Sequence, residues 1–254
     1  MTEVLTSIAV TGIHSAPSFG DLRDSTHLYN QLEDISAQPV EVPREQLEGL
    51  AQILVRHNAQ DRFGIHLIHT HFKLDKGSIM LRTPVPKHSG YWTRQVDISK
   101  VDLHNIHGTV FALGGNRNFM AYEYGAGPAS DVSAVGPELL CDVIQYLTSN
   151  KLEGLLGLEI LNSAKERDVE FDLGDNFSTV TLGESKCIPG ELYRVTTWLV
   201  EENEGNIRCR GHKVCVVTRS GVHYTTTTNS AGVKISDVTE LEKFLKDAGI
   251  ILDC

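Results

Sequence analysis

Three glycine-bearing turns, each set between apolar or alternating stretches, constrain this chain more than anything else in it. Asp75-Lys76-Gly77 leads into SIMLRT at 78–83, Gly114-Gly115-Asn116 separates GTVFAL (108–113) from NFMAYEY (118–124), and Ser220-Gly221 separates IRCRGHKVCVVT (207–218) from VHYTTTT (222–228). Short turns of this chemistry join antiparallel neighbours, because a parallel pair needs a crossover of a dozen residues or more. Further β-branched or alternating runs stand at 4–12, 63–72, 155–161, 168–173, 178–182 and 192–202. Each reads as a strand.

Helical periodicity occurs in three places. Leu47, Leu50, Ala51, Leu54 and Val55 follow Pro43, and Leu139, Leu140, Val143, Ile144 and Leu147 follow Pro137. Proline suits a first helical position because its φ is already fixed. A closing helix has Asp237 as its cap and Glu240 three residues on, with Val238, Leu241, Phe244, Leu245 and Ala248 on one face. Residues 13–42 show no clear period and read as a surface wrap. Residues 84–106, with two prolines, Gly90 and Trp92, read as a long loop of the lid or ligand-binding kind. The expected fold is α+β, with antiparallel sheet covered by about three helices.

The halves 1–130 and 131–254 resemble each other weakly. Glu45 through His69 lies over Glu138 through Asn162 at an offset of 93, which sets His66 against Glu159 and His69 against Asn162. At larger offsets His107 matches His212, and Ser130-Asp131-Val132 matches Ser236-Asp237-Val238. Two copies of an α–β–β–β–β unit explain this, and so does chance likeness between two helix–strand units.

The chemistry concentrates at Phe63–Phe72, FGIHLIHTHF. Were the whole stretch one strand, His69 and His71 would share a face about 7 Å apart, and His66 would point the other way. Two imidazoles on one rigid face are a two-point grip on a transition metal such as Zn, Fe or Cu. A catalytic centre needs a third protein ligand, for which His66, His104, His107, Glu123, Glu159 and His223 are candidates. His66 and His107 complete the expected metal set. Glu159, flanked by Leu158, Ile160 and Leu161, and Glu123, between Tyr122 and Tyr124, are the carboxylates for acid–base work. Cys209-x-x-His212-x-x-Cys215 has zinc-ligand residue types, but strict alternation keeps them apart. The order Gly64, His69, His71, Asp75 resembles the cupin metal motif. The glycine spacing is one residue short and no proline-glycine-histidine second motif follows, so no family is assigned.

Net charge is −10, with no basic cluster beyond pairs, which speaks against nucleic acid or an anionic membrane surface as partner. Five cysteines at irregular spacing, with no CxxC, fit reduced thiols and a cytoplasmic setting. The sequence supports a metal-dependent enzyme for a small organic molecule. Two alternatives stand beside it: a metal-free isomerase or lyase using a histidine–carboxylate pair, and a non-catalytic binding or homo-oligomeric protein.

Overall fold

The computed structural model describes residues 10, 13, 15–39, 41–114, 119–128, 136–161, 166–188, 192–226 and 234–251. Ten strands close into one barrel: β1 (Phe63–Leu67), β2 (Ser78–Val85), β3 (Gly90–Asp97), β4 (Ile106–Leu113), β5 (Phe119–Ala126), β6 (Leu156–Ile160), β7 (Asp168–Asp172), β8 (Ser178–Gly183), β9 (Tyr193–Asn203) and β10 (Asn206–Val216). Around the barrel the order is β1-β6-β4-β5-β2-β3-β8-β7-β10-β9, with β9 pairing back onto β1. This overturns the α+β expectation of antiparallel sheets under helices. The barrel is mixed, because β2 pairs β5 in parallel and β7 pairs β10 in parallel. Of the three turn-marked pairings only β4–β5 is a ladder: β1 and β2 are not neighbours, and residues 222–226 carry isolated bridges and no strand. Neither parallel ladder nor the closure was visible in turn signals.

Four helices stand among the described residues: α1 (Phe19–Gln31), α2 (Arg44–Arg56), α3 (Pro137–Asn150) and α4 (Val238–Asp247). The last three lie where periodicity placed them. α1 was expected to be surface wrap. Its start is a capping box, with Ser18 and Asp21 satisfying each other's backbone N–H groups. Its buried residues are Leu22, Ser25, Thr26, Leu28 and Tyr29, so small hydroxyl residues take two of the five places and the apolar period is masked. Thr26 offsets its burial by donating to the Leu22 and Ser78 carbonyls.

The strands alternate, and the helices reveal which face is outside. Phe63, Ile65, Phe111, Leu158 and Ile160 pack with α2 and α3. Val169, Phe171, Val180, Leu182 and Val214 pack with Leu241, Phe244 and Leu245 of α4. The apolar faces therefore look outward under helices, and the alternate residues, many of them polar, look into the barrel. Asp168, Glu170 and Asp172 on β7, and Thr179 and Thr181 on β8, are all on the inner set.

The strand order is unchanged when each of β1–β5 is exchanged with its counterpart five strands later. Each exchanged unit has five strands rather than four. The β1–β6 ladder obeys the same exchange, since Ile65 faces Leu158, 93 positions on, and His66 opposite Gly157 mirrors Glu159 opposite Gly64. His107 and His212, by contrast, lie on β4 and β10, which the exchange does not relate. The strand expected over 4–12, most of the turn at Gly115-Asn116, Ser130-Asp131-Val132 and Asn162 fall outside the described residues.

The segment 84–106 is no lid. β3 pairs with β2 along its full length and with β8 on its other side. Trp92 is 2 % exposed, with the Arg94 guanidinium 4.3 Å above its ring. The prolines that suggested a loop sit at the end of β2 and in a short 3-10 turn, Pro86–His88.

Candidate metal centre

β1 ends at Leu67, five residues before the histidine stretch does. Beyond it the chain turns away from the ladder: the Ile68 N–H bonds to the Leu155 carbonyl and the Thr70 N–H to the Glu33 carbonyl. The alternation expected across 63–72 is therefore broken, and all three histidines gather in one region. The His66 and His69 rings stack at 5.6 Å, and His69 and His71 meet edge-on at 5.1 Å.

His223 joins them from the segment after β10, with its ring 4.0 Å from that of His71 and 5.4 Å from that of His69. Cys215, on β10, completes the group. One donor atom from each of His69, His71, Cys215 and His223 lies within 4.8 Å of every other, a grouping that could hold a metal ion. Their side chains are buried, and the Nε2 of His223 is buried with no hydrogen-bond partner. A buried nitrogen without a partner is costly, and a metal is one way to satisfy it.

An outer hydrogen bond orients His69, and carboxylates stand near the outer nitrogens of His71 and His223 without bonding to them. The His69 Nδ1–H donates to the Leu67 carbonyl at 2.8 Å, which leaves Nε2 as the lone-pair nitrogen, 3.5 Å from Cys215 Sγ. Asp172 lies 3.6 Å from Nδ1 of His71, and Asp34 lies 3.6 Å from Nδ1 of His223. A carbonyl or carboxylate behind the second ring nitrogen is the usual arrangement around ligating histidines.

Charges in the pocket are strongly coupled. Burial, with His71 and His223 alongside, pushes His69 well below its ordinary value. Burial alone would lower His71 too, but Glu170 and Asp172 outweigh it and raise this imidazole to about 10. Burial would raise the Glu170 carboxyl, yet His71 holds it well below the usual range. The Cys215 thiol is pushed well up by burial and by Glu170. A metal would displace these protons, since it binds thiolate and neutral imidazole.

A second buried group adjoins the first through His66. Glu159 on β6 receives Arg82 Nη2 from β2 at 3.0 Å, the Lys213 ammonium from β10 and the Thr197 hydroxyl from β9 at 2.6 Å. None of β2, β9 and β10 neighbours β6 in the barrel, so these contacts cross its interior. His66 Nδ1 lies 3.0 Å from Thr197 Oγ1 and 3.3 Å from Glu159. Burial would raise the Glu159 carboxyl, but Lys213, His66 and Arg82 hold it well below its ordinary value.

Of the residues expected at the metal, the structure brings His69 and His71 together and adds His223, already a candidate third ligand. His66 sits beside them but is engaged with Thr197 and Glu159. His107 is elsewhere, its Nδ1 3.1 Å from the Gly127 carbonyl on a part-buried edge. Glu159 is central to the buried network, whereas Glu123 reaches only Arg82, at 3.4 Å. Asp75, in the cupin-like order, bonds Gln95 in an exposed turn. Of the Cys-His-Cys spacing only Cys215 reaches the centre. Cys209 packs at the outer core, and His212 lies 3.7 Å from Asp168.

Sequence reasoning passed over Glu170, Asp172, Arg82, Lys213 and Thr197. One signal was present: Asp168, Glu170 and Asp172 alternate with Val169, Phe171 and Leu173, a strictly two-faced strand. No family model matches this chain, and no match was found among curated proteins or solved structures.

Proposed function

We propose that this protein is a metal-dependent enzyme acting on a small organic molecule, with a divalent transition metal bound by His69, His71, His223 and Cys215. The observation that carries the reading is the convergence of four nitrogen and sulfur donors within 4.8 Å, each imidazole backed by a carbonyl or carboxylate. Thiolate with imidazole suits zinc, iron or copper and disfavours magnesium or calcium. Such an ion supplies Lewis acidity toward an oxygen of the substrate. Beside it, His66 and Glu159, tied through Thr197, are placed to take or return a proton. Arg82 and Lys213 keep Glu159 ionised, so in that pair His66 carries the proton and Glu159 is its counter-charge.

The test is elemental analysis of purified, untagged protein after loading and desalting. One equivalent of a transition metal is expected in the parent, with most of it lost in His69→Ala, His71→Ala and Cys215→Ser. Parent protein that retains no metal after loading refutes the proposal. The second reading is a metal-free isomerase or lyase built on His66 and Glu159 alone, favoured by the buried Thr197–Glu159 hydrogen bond of 2.6 Å. It predicts activity that survives chelation and is lost in Glu159→Gln under conditions where circular dichroism shows that variant folded.

A further inference from the structure

We infer that Glu170 is a fifth protein ligand of this centre, which suits the site to a divalent ion of coordination number five or six; the inference rests on the metal reading above. Four protein donors of this kind would by themselves fill a four-coordinate ion and leave it no position for substrate, so the Lewis-acid role needs a higher coordination number. Glu170 is not one of the four donors grouped within 4.8 Å, but it borders two of them. Its Oε2 lies 2.8 Å from Cys215 Sγ and 3.5 Å from His71 Nε2, touching two of the donors at once.

The outer contact of Glu170 follows the pattern of the histidines. Its other oxygen, Oε1, accepts the Thr179 hydroxyl at 3.1 Å, as Nδ1 of His69 is fixed by Leu67. In Glu170 and His69 alike, one atom is thus held by a hydrogen bond and the other is turned toward the centre. Glu170 reaches the site from β7, beside Cys215 in the parallel β7–β10 ladder, so backbone pairing fixes their spacing. Thiolate ligation would release the Cys215 proton to solvent, and the Glu170 oxygen that accepts its hydrogen bond would then be free to ligate. With five protein donors, a six-coordinate ion keeps one position for a substrate oxygen.

Cobalt(II) is the probe, because its spectrum reports both thiolate bonding and coordination number. Parent protein titrated with Co²⁺ should show a thiolate charge-transfer band with the weak ligand-field bands of a five- or six-coordinate ion. Glu170→Gln keeps the volume and the Thr179 contact but loses the anionic donor. It should bind Co²⁺ at least about tenfold more weakly, with the thiolate band intact and ligand-field bands intensified toward the tetrahedral level. A role for Glu170 as ion-pair partner of His71 predicts the opposite sign: removing the partner frees the imidazole, so binding is unchanged or tighter and the spectrum does not move. That result overturns the inference, and so do intense tetrahedral bands in the parent. Parent protein that binds no Co²⁺ at all refutes the metal reading itself. If Glu170→Gln does not fold, Glu170→Asp serves, since it keeps the charge but withdraws the oxygen by one methylene. Ligation predicts weaker binding with altered bands there, and ion pairing predicts neither.

Discussion

Glu159→Gln should be among the most destabilising isosteric changes in this protein. The Glu159 carboxylate contacts Arg82 at 3.0 Å and Lys213 more closely still, and all three side chains are about 5 % exposed. Glutamine retains the volume and a hydrogen bond to Thr197, so packing changes little and charge dominates. Among the described residues, the variant leaves Lys213 with no anion in ion-pair contact and Arg82 with Glu123, at 3.4 Å. Breaking a buried pair by removing one partner costs about 3–5 kcal/mol. Unit charges about 4 Å apart at an effective dielectric near 20 interact by about 4 kcal/mol, which agrees. We expect a loss of about 4 kcal/mol, a large fraction of the roughly 5–15 kcal/mol typical of a domain. Urea denaturation followed by circular dichroism measures it, as a lower midpoint at unchanged slope. Lys213→Met introduced together with Glu159→Gln removes the stranded cation, and the double variant should recover at least about 1 kcal/mol over the single. The pH dependence has a definite sign. A depressed carboxyl contributes stability that is full above its unfolded value of about 4.3 and is lost as pH falls through the folded value. The gap between parent and variant should therefore narrow in acid. A loss below about 1 kcal/mol for the single variant, or no recovery in the double, refutes the charge argument.

Three further outcomes follow from particular contacts. Burial is the main cause that raises Asp168 to about 6, with Lys213 opposing. Between about pH 4 and 6 the folded chain then holds a proton that the unfolded chain, at about 3.9, has lost, so this group's contribution to stability falls as pH rises through that window. Asp168→Asn should remove that limb, worth up to about 3 kcal/mol, and matched pH-dependent melts of parent and variant would show no difference if Asp168 titrates normally. A Cβ added at Gly157 would sit 2.1 Å from the Phe111 carbonyl oxygen on the adjacent strand, so Gly157→Ala must move backbone and should cost about 1–3 kcal/mol by denaturation. His107→Ala should leave metal stoichiometry unchanged while His223→Ala lowers it, and metal analysis giving the reverse would relocate the centre.

Much of this protein is legible locally. Proline at 43 and 137, and the cap Asp237, mark helix starts because caps and fixed φ act on neighbouring residues alone. The runs at 78–83 and 168–173 alternate visibly, and the clustering of His66, His69 and His71 already pointed to metal chemistry. α1 was unreadable, because Ser25 and Thr26 stand among its buried residues and Thr26 owes its place in part to the Ser78 carbonyl elsewhere in the fold.

What the sequence by itself determined was that these strands have two unlike faces. Which face lies inside was decided only by the tertiary structure. In an open sheet the polar face meets water. Closure of ten strands reverses this: helices cover the apolar face, and the polar residues of β1, β2, β6, β7, β9 and β10 are brought within hydrogen-bonding distance across the interior. Glu159, Lys213 and Arg82, or His69, Cys215 and His223, are far apart in the chain and share no period. They meet because each stands on an inward position of a strand, or of a segment leaving one, whose place in the barrel is set by pairing rather than by order.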